Sequence, residues 1–261
     1  MGHSTFYRID ASILCLLLLA GCILMVILGR RIRTKYLHKD DQESKGGVNS
    51  VLGALFGLWG FVLAFTFGNS ASRFENVRAM MVEEANIIRN VLLRAETLPD
   101  SMQGAFREDL KKYLEARIEY YEVEGDAEKF NKTILDAVDI SKKLWKRTVD
   151  ALHVPGFGPT ANSMLTTLSS MIDIGARRDA LLKSDIPGLI SFMLFFLALV
   201  ISFVGGFTSP ILKSKEWVVM VGFIFLACSI IYITIDLARP LNGLIKPDVG
   251  QERMVQLRNL F

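Results

Sequence analysis

The chain has 261 residues, 51% of them hydrophobic, with a mean hydropathy of +0.34. Its apolar residues are bunched rather than spread, which excludes an ordinary soluble domain of this length. A formal charge of +3 gives no electrostatic case for a nucleic-acid partner.

Four uncharged stretches reach the roughly 20 residues needed to cross a bilayer. They are Ala11–Gly29, Val51–Ser72, Ile186–Leu212 and Trp217–Ile235. They predict an integral membrane protein, in a bacterium one of the inner membrane, with the lipid bilayer as its first partner. Within the first span, "LAGC" (Leu19–Cys22) matches the processing box of a bacterial lipoprotein. The chain then continues "ILMVILGRRIR", a full-length span closed by arginines, so the expectation is an uncleaved helix. Cys15, Cys22 and Cys228 all fall inside spans; their spacing builds neither a disulfide framework nor a metal site. They read as small apolar packing residues.

The second span is rich in small residues: Gly53, Ala54, Gly57, Gly60, Ala64 and Gly68. Glycines let membrane helices approach closely, so helix packing is one reading. The other starts from Phe61 and Phe65, four apart on the face that carries Gly57. Aromatic rings repeated around a symmetry axis form a hydrophobic constriction that gates by dewetting. The span ends in "FTFGNSASRFENVR", residues 65–78, and passes Ser72 without Gly, Pro or a cap. It is expected to run on as one helix into a charged region, with Asn69 and Ser70 offering water or ions a polar exit.

Residues 73–185 are charged and lack strand-like alternation, so they form an extramembrane helical domain in this reading. Its breaks are helix punctuation. Asp100 stands three residues before Gln103 in a capping-box pattern, "VEGDAEKF" breaks at Gly125 and Asp126, and "HVPGFGPT" is a loop. Four helices follow, over about 73–97, 101–123, 127–151 and 160–184. Leu92, Leu93, Leu110, Tyr113, Leu114, Ile118, Ile134, Leu135, Val138, Leu144 and Trp145 recur at helical spacing as their expected core. Pro187 suits the first turn of the third span. The expected organisation is 1–72 for spans 1 and 2 with a basic loop, 73–185 for the helical domain, 186–238 for spans 3 and 4, and 239–261 for a C-terminal tail. Lys and Arg flanking the short loops number eight against three, a lean toward an external domain that does not decide the side.

From Phe65, "FTFGNSASRFENVRAMMVEEANIIRN" resembles the end of the second span of bestrophins, approximately F-R-x-N-x-A-Y-x-R-F/W-W-E-x-R followed by N-x-x-R-N. Phe65, Arg73, Phe74, Arg78, Asn86, Arg89 and Asn90 fall on matching positions without a gap. With "RNVLLRAETLP" and the closing "DLARPLNGLIKPD" (Asp236–Asp248), the chain looks like the bacterial bestrophin-like membrane family from its second span to near its end. The resemblance implies an all-α, four-span fold and a homo-oligomer, a pentamer, that conducts inorganic ions along the second span. Its narrow neck, made in bestrophins by apolar residues at i, i+4 and i+8, corresponds here to Gly57, Phe61 and Phe65. The departures are Gly57, which widens the first ring, Thr66 where the family often has arginine, and Phe74–Glu75 in place of an aromatic pair. An acidic calcium clasp is not evident near the C-terminus. The bestrophin arrangement places the helical domain in the cytosol, against the lean of the short-loop charges.

The remaining charges each carry two readings. Glu83 and Glu84 form either a ring of negative charge that favours cations or structural pairs with Arg78 or neighbouring helices. Arg73, Arg78 and Arg89, with Asn86, read as ties to neighbouring helices or subunits, a task that suits the guanidinium fork. Asp236 and Arg239 end the fourth span either as a relay or, preferred here, as an i,i+3 ion pair. His3, His38 and His153 lie in unrelated segments. No catalytic triad, nucleotide loop or paired-carboxylate site emerges, so neither an enzyme nor a cofactor is expected. The alternative to a channel is a membrane scaffold or sensor whose helical domain binds a protein, since fold does not fix function.

Overall fold

The computed structural model describes residues 10–36, 42–122, 127–183, 188–208, 214–240 and 243–261. All its regular structure there is helical: α1 (Ala11–Tyr36), α2 (Gln42–Ala95), α3 (Asp100–Glu122), α4 (Ala127–Leu152), α5 (Gly158–Lys183), α6 (Gly188–Thr208), α7 (Ser214–Leu237) and α8 (Asp248–Leu257), closed by a 3₁₀ turn at Arg258–Leu260. The breaks expected at Gly125 and Asp126, and the turn expected at Pro187, lie outside the described residues.

The chain divides into two compact units. One comprises residues 1–73 and 185–239, the other residues 74–184 and 240–261. Helix α2 contributes to both.

In the first unit, the apolar helices α1, α2, α6 and α7 are long enough to cross a membrane. Their core gathers Leu18, Cys22, Val26, Trp59, Leu63, Leu194, Ile201, Cys228 and Ile231. Two glycines allow α1 and α6 to meet at backbone distance. A Cβ on Gly29 would stand 2.2 Å from the Phe203 carbonyl oxygen, and one on Gly206 would stand 2.2 Å from that of Val26. Residue numbers rise together along this seam, so the two helices run parallel. At its end Arg33 Nη1 donates to the carbonyls of Phe207 and Thr208, 2.7 Å from each. These are orphan acceptors at the negative end of α6, where a cation belongs. Leu16, Leu17 and Leu24 on α1 and Phe192 and Phe196 on α6 face outward, as lipid-contacting residues do.

The second unit packs α3, α4 and α5 with the C-terminal half of α2. Ile88, Val91, Phe106, Leu110, Leu114, Leu144, Met164, Leu168 and Met171 are wholly withdrawn from solvent. Residues 240–261, read from sequence as part of a tail, place Met254 and Leu257 in this core. Gly250 fits tightly, since a Cβ there would come within 2.6 Å of Met81 Cβ. Arg258 of the final turn pairs with Glu115 at 2.6 Å.

Seven of the eleven residues expected in the core are buried; Leu93, Leu135, Val138 and Trp145 are exposed. Helical spacing counted them in because each lies beside the buried stripe rather than on it. The loop at Gly156 carries a φ of +89°, a left-handed conformation that glycine adopts without strain. The turn into α3 differs from the expected capping box. Gln103 Nε2 donates to the carbonyls of Glu96 and Leu98 and to Asp100 Oδ1, at 3.1, 2.9 and 3.2 Å. It therefore satisfies carbonyls of the turn between α2 and α3 rather than donors of α3.

Candidate functional site

Helix α2 turns two different faces outward and inward within the first unit. Trp59, Leu63, Thr66 and Ser70 are buried, and Phe56 meets Phe223 of α7 edge to face, with centroids 5.5 Å apart. On the other side, Gly57, Phe61, Phe65 and Asn69 are all exposed. The phenylalanines keep 71% and 56% of their surface. A Cβ added at Gly53, Gly57, Gly60 or Gly68 would meet nothing within 4 Å. Among the described residues, these four glycines therefore do not serve helix packing. The four expected neck positions share one apolar, unpartnered face that ends in an amide.

Ser70 does not join that face. It is fully buried, as is nearly all of Thr66, because each lies on the inward side of the helix. Thr66 Oγ1 donates to the Val62 carbonyl at 2.7 Å. Thr66 and Ser70, with Ser191, Thr234 and Arg239, line a cavity of about 20 Å³, room for a single water. The expected polar exit thus reduces to Asn69. At the end of α7, Asp236 is buried and its carbonyl accepts the backbone N–H of Arg239 at 3.0 Å.

The acidic pair separates. Glu83 is exposed, whereas Glu84 is fully withdrawn from solvent in the second unit. Arg117 Nε approaches Glu84 Oε1 at 2.6 Å and Arg178 Nη1 approaches Oε2 at 2.8 Å. Tyr113 Oη donates to the same carboxylate at 3.3 Å, and Arg117 reaches on to Asp179 at 2.9 Å. The Tyr120 ring lies 5.3 and 4.9 Å from the two guanidinium carbons. Burial alone would push the Glu84 carboxyl up, but the charges of Arg117 and Arg178 and the hydrogen bonds from Arg117 and Tyr113 hold it below the ordinary glutamate value. Burial, reinforced by the Glu84 charge, pushes the Tyr113 phenol up. Glu84 is thus enclosed among Arg117, Arg178 and Tyr113 of its own chain rather than beside Arg78. Arg78 instead reaches Glu75 on its own helix at 3.4 Å, in an exposed pair worth little.

Of the expected ties, Arg73 is half-buried, while Asn86 and Arg89 lie exposed on α2. The residues that tie the second unit together are Arg117 and Arg178, which the sequence reading did not single out. A signal was present. Val77, Met81, Glu84, Ile88 and Val91 follow at spacings of four and three, so a glutamate occupies a core position of its stripe. Arg178 likewise continues Met164, Leu168, Met171 and Gly175. Charges of opposite sign on facing apolar stripes imply a buried pair. Gly175 leaves the space, since a Cβ there would lie 3.1 Å from Tyr113 Oη and 3.5 Å from Arg117 Nη2.

Among the described residues no cluster of His, Cys, Asp and Glu has a metal-binding arrangement. The fold and this apolar face define an all-helical membrane protein with four helices long and apolar enough to span the bilayer. The bestrophin-like domain matches residues 15–246, and the chain belongs to that family, whose bestrophin members are ion channels rather than enzymes. A crystal structure of a bacterial bestrophin homologue from Klebsiella pneumoniae, carrying a point mutation, superposes with a TM-score of 0.67 at 13% identity, covering 94% of this chain and 99% of that one. A second structure of a Klebsiella pneumoniae homologue gives 0.66 at 13%, with 97% and 98% covered. Another, described as a membrane protein, gives 0.58 at 12%, with 95% and 98% covered. At these identities the likeness concerns the fold. A search of curated proteins finds no match.

Proposed function

We propose that the protein is a homo-oligomeric ion channel, a pentamer by analogy with bestrophins, of the bacterial inner membrane. In it the Gly57–Phe61–Phe65–Asn69 face of α2 surrounds the pathway, and Phe61 and Phe65 form a dewetting neck. The helical region 73–185 stands outside the membrane. Asn86 and Arg89, exposed on the same helix, serve contacts between subunits, and Glu83 is the one acidic candidate left for biasing selectivity.

The observation that carries this reading is the exposure of Phe61 and Phe65 on a face whose glycines meet nothing among the described residues. A scaffold sealed within one subunit would turn those rings inward against its own spans, and here they turn the other way. Family membership supports the same reading. The test is conductance of purified protein in planar bilayers. Wild type should carry ionic current, and Phe65→Ala, which removes the ring without disturbing a buried contact, should change conductance or open probability. A monomer without conductance would overturn the proposal in favour of the scaffold.

A further inference from the structure

In the first unit the Cys22 thiol of α1 and the Cys228 thiol of α7 come close enough to share a hydrogen bond, although 206 positions separate them in the chain. Both are free thiols in the core between the spans. Together with Ser202 of α6 they line a half-open apolar cavity of about 560 Å³, onto which they keep 3% and 7% of their surface. Cys15 is buried elsewhere on α1 and does not reach that wall. The Ser202 hydroxyl donates to the Ala198 carbonyl at 2.8 Å, so only its oxygen lone pairs remain for the thiol hydrogen of Cys22. Packing accounts for a small apolar side chain at each position. It does not account for two thiols from different helices meeting at the edge of an open space.

Depth and polarity restrict the chemistry open to this pair. Cys22 lies eleven residues after Ala11 and seven before Gly29, so at 1.5 Å per residue it is roughly 16 and 10 Å from the two ends of the span. That is inside the hydrocarbon layer of about 30 Å, where charged products are costly. A disulfide is neutral, and it requires two neighbouring sulfurs to close to about 2.05 Å. The oxidant must likewise be neutral and soluble in hydrocarbon. We propose that Cys22 and Cys228 form an oxidative modification site, at which an organic hydroperoxide arriving through the lipid converts the pair into a disulfide that ties α1 to α7. The Cys22 sulfur attacks the outer peroxide oxygen, the O–O bond breaks, and the thiol proton goes to the departing alkoxide to give an alcohol. The Cys228 sulfur then attacks the sulfur of the Cys22 sulfenic acid, the S–O bond breaks, and hydroxide leaves with the Cys228 proton as water. The two thiols lose two electrons, and the hydroperoxide is reduced to alcohol and water. This site does not depend on conduction.

The test uses full-length protein in nanodiscs of saturated lipid, exposed to cumene hydroperoxide, alkylated in denaturant and read by peptide mass spectrometry. The three free thiols should fall to one, the survivor being Cys15, with a linked peptide pair joining Cys22 to Cys228. Reduction by a phosphine should restore all three. Cys15→Ala should leave the cross-link in place, whereas Cys22→Ala and Cys228→Ala should each abolish it. Three intact thiols after the exposure would overturn the proposal, whether or not Met220 on the same wall is oxidised to its sulfoxide. A cross-link through Cys15, or one between two chains, would overturn it as well.

Discussion

The two halves of α2 break the usual rule of burial in opposite senses. Before residue 73 the helix exposes phenylalanines at positions 61 and 65; after it, the helix buries a glutamate at position 84. Each inversion needs a partner, and the two partners come from different places. Glu84 finds Arg117 and Arg178 within the same chain, and its burial is complete. Phe61 and Phe65 stay exposed among the described residues, so their face is left for something else. Exposure and burial thus sort residues that the sequence alone grouped as candidate pore elements.

Breaking the satisfied end should have the larger effect. Glu84→Gln takes the paired carboxylate from the buried Arg178 and leaves Arg117 with Asp179, and loss of one member of a buried ion pair costs about 3–5 kcal/mol. Thermal unfolding of the purified variant should show the loss as a much lower midpoint. The same group sets an acid limit. Its folded-state value lies below the unfolded glutamate value of about 4.3, so its stabilisation is present above about pH 4.3 and fades as pH falls through the lower folded value. The melting temperature of wild type should include this acid-induced fall, and Glu84→Gln should lack that component.

The close helix contacts come next. Gly206→Ala drives a Cβ to 2.2 Å from a backbone oxygen of α1, and overpacking of this kind costs about 1–3 kcal/mol. Gly57→Ala, on the open face, should change melting by less than about 0.5 kcal/mol while altering conductance. Paired melting and bilayer recordings of these two glycine variants sharpen the comparison, since the first should fail in stability and the second only in function. Phe61→Ala belongs with Gly57→Ala: near-neutral stability, changed current.

The apolar runs and the helix ends around "HVPGFGPT" were legible in the sequence because uncharged runs and helix punctuation act locally, whereas α8, in what read as a tail, was not. The exposed stripe of Gly57, Phe61 and Phe65 was legible from the period of the helix. Three features depended on long-range partners instead. Glu84 was ambiguous because its arginines lie 33 and 94 positions away in sequence, and local spacing cannot pair them. Ser70 was grouped with Asn69 by adjacency, although adjacent helical residues point about 100° apart. The half-open apolar cavity of about 560 Å³ beside Trp59 is bounded by α1, α2, α6 and α7, and no single stretch carries its signature.

The central claim is that the exposed face of α2 meets the ion pathway, and substituted-cysteine block tests it most directly. Cys15, Cys22 and Cys228 are buried, and replacing all three by alanine gives a background in which Phe65→Cys carries the only thiol. If the face lines the pathway, a cationic methanethiosulfonate reagent should reduce the single-channel current of Phe65→Cys irreversibly and leave the background unchanged. A current that persists unaltered after the reagent has demonstrably labelled the cysteine would contradict the account.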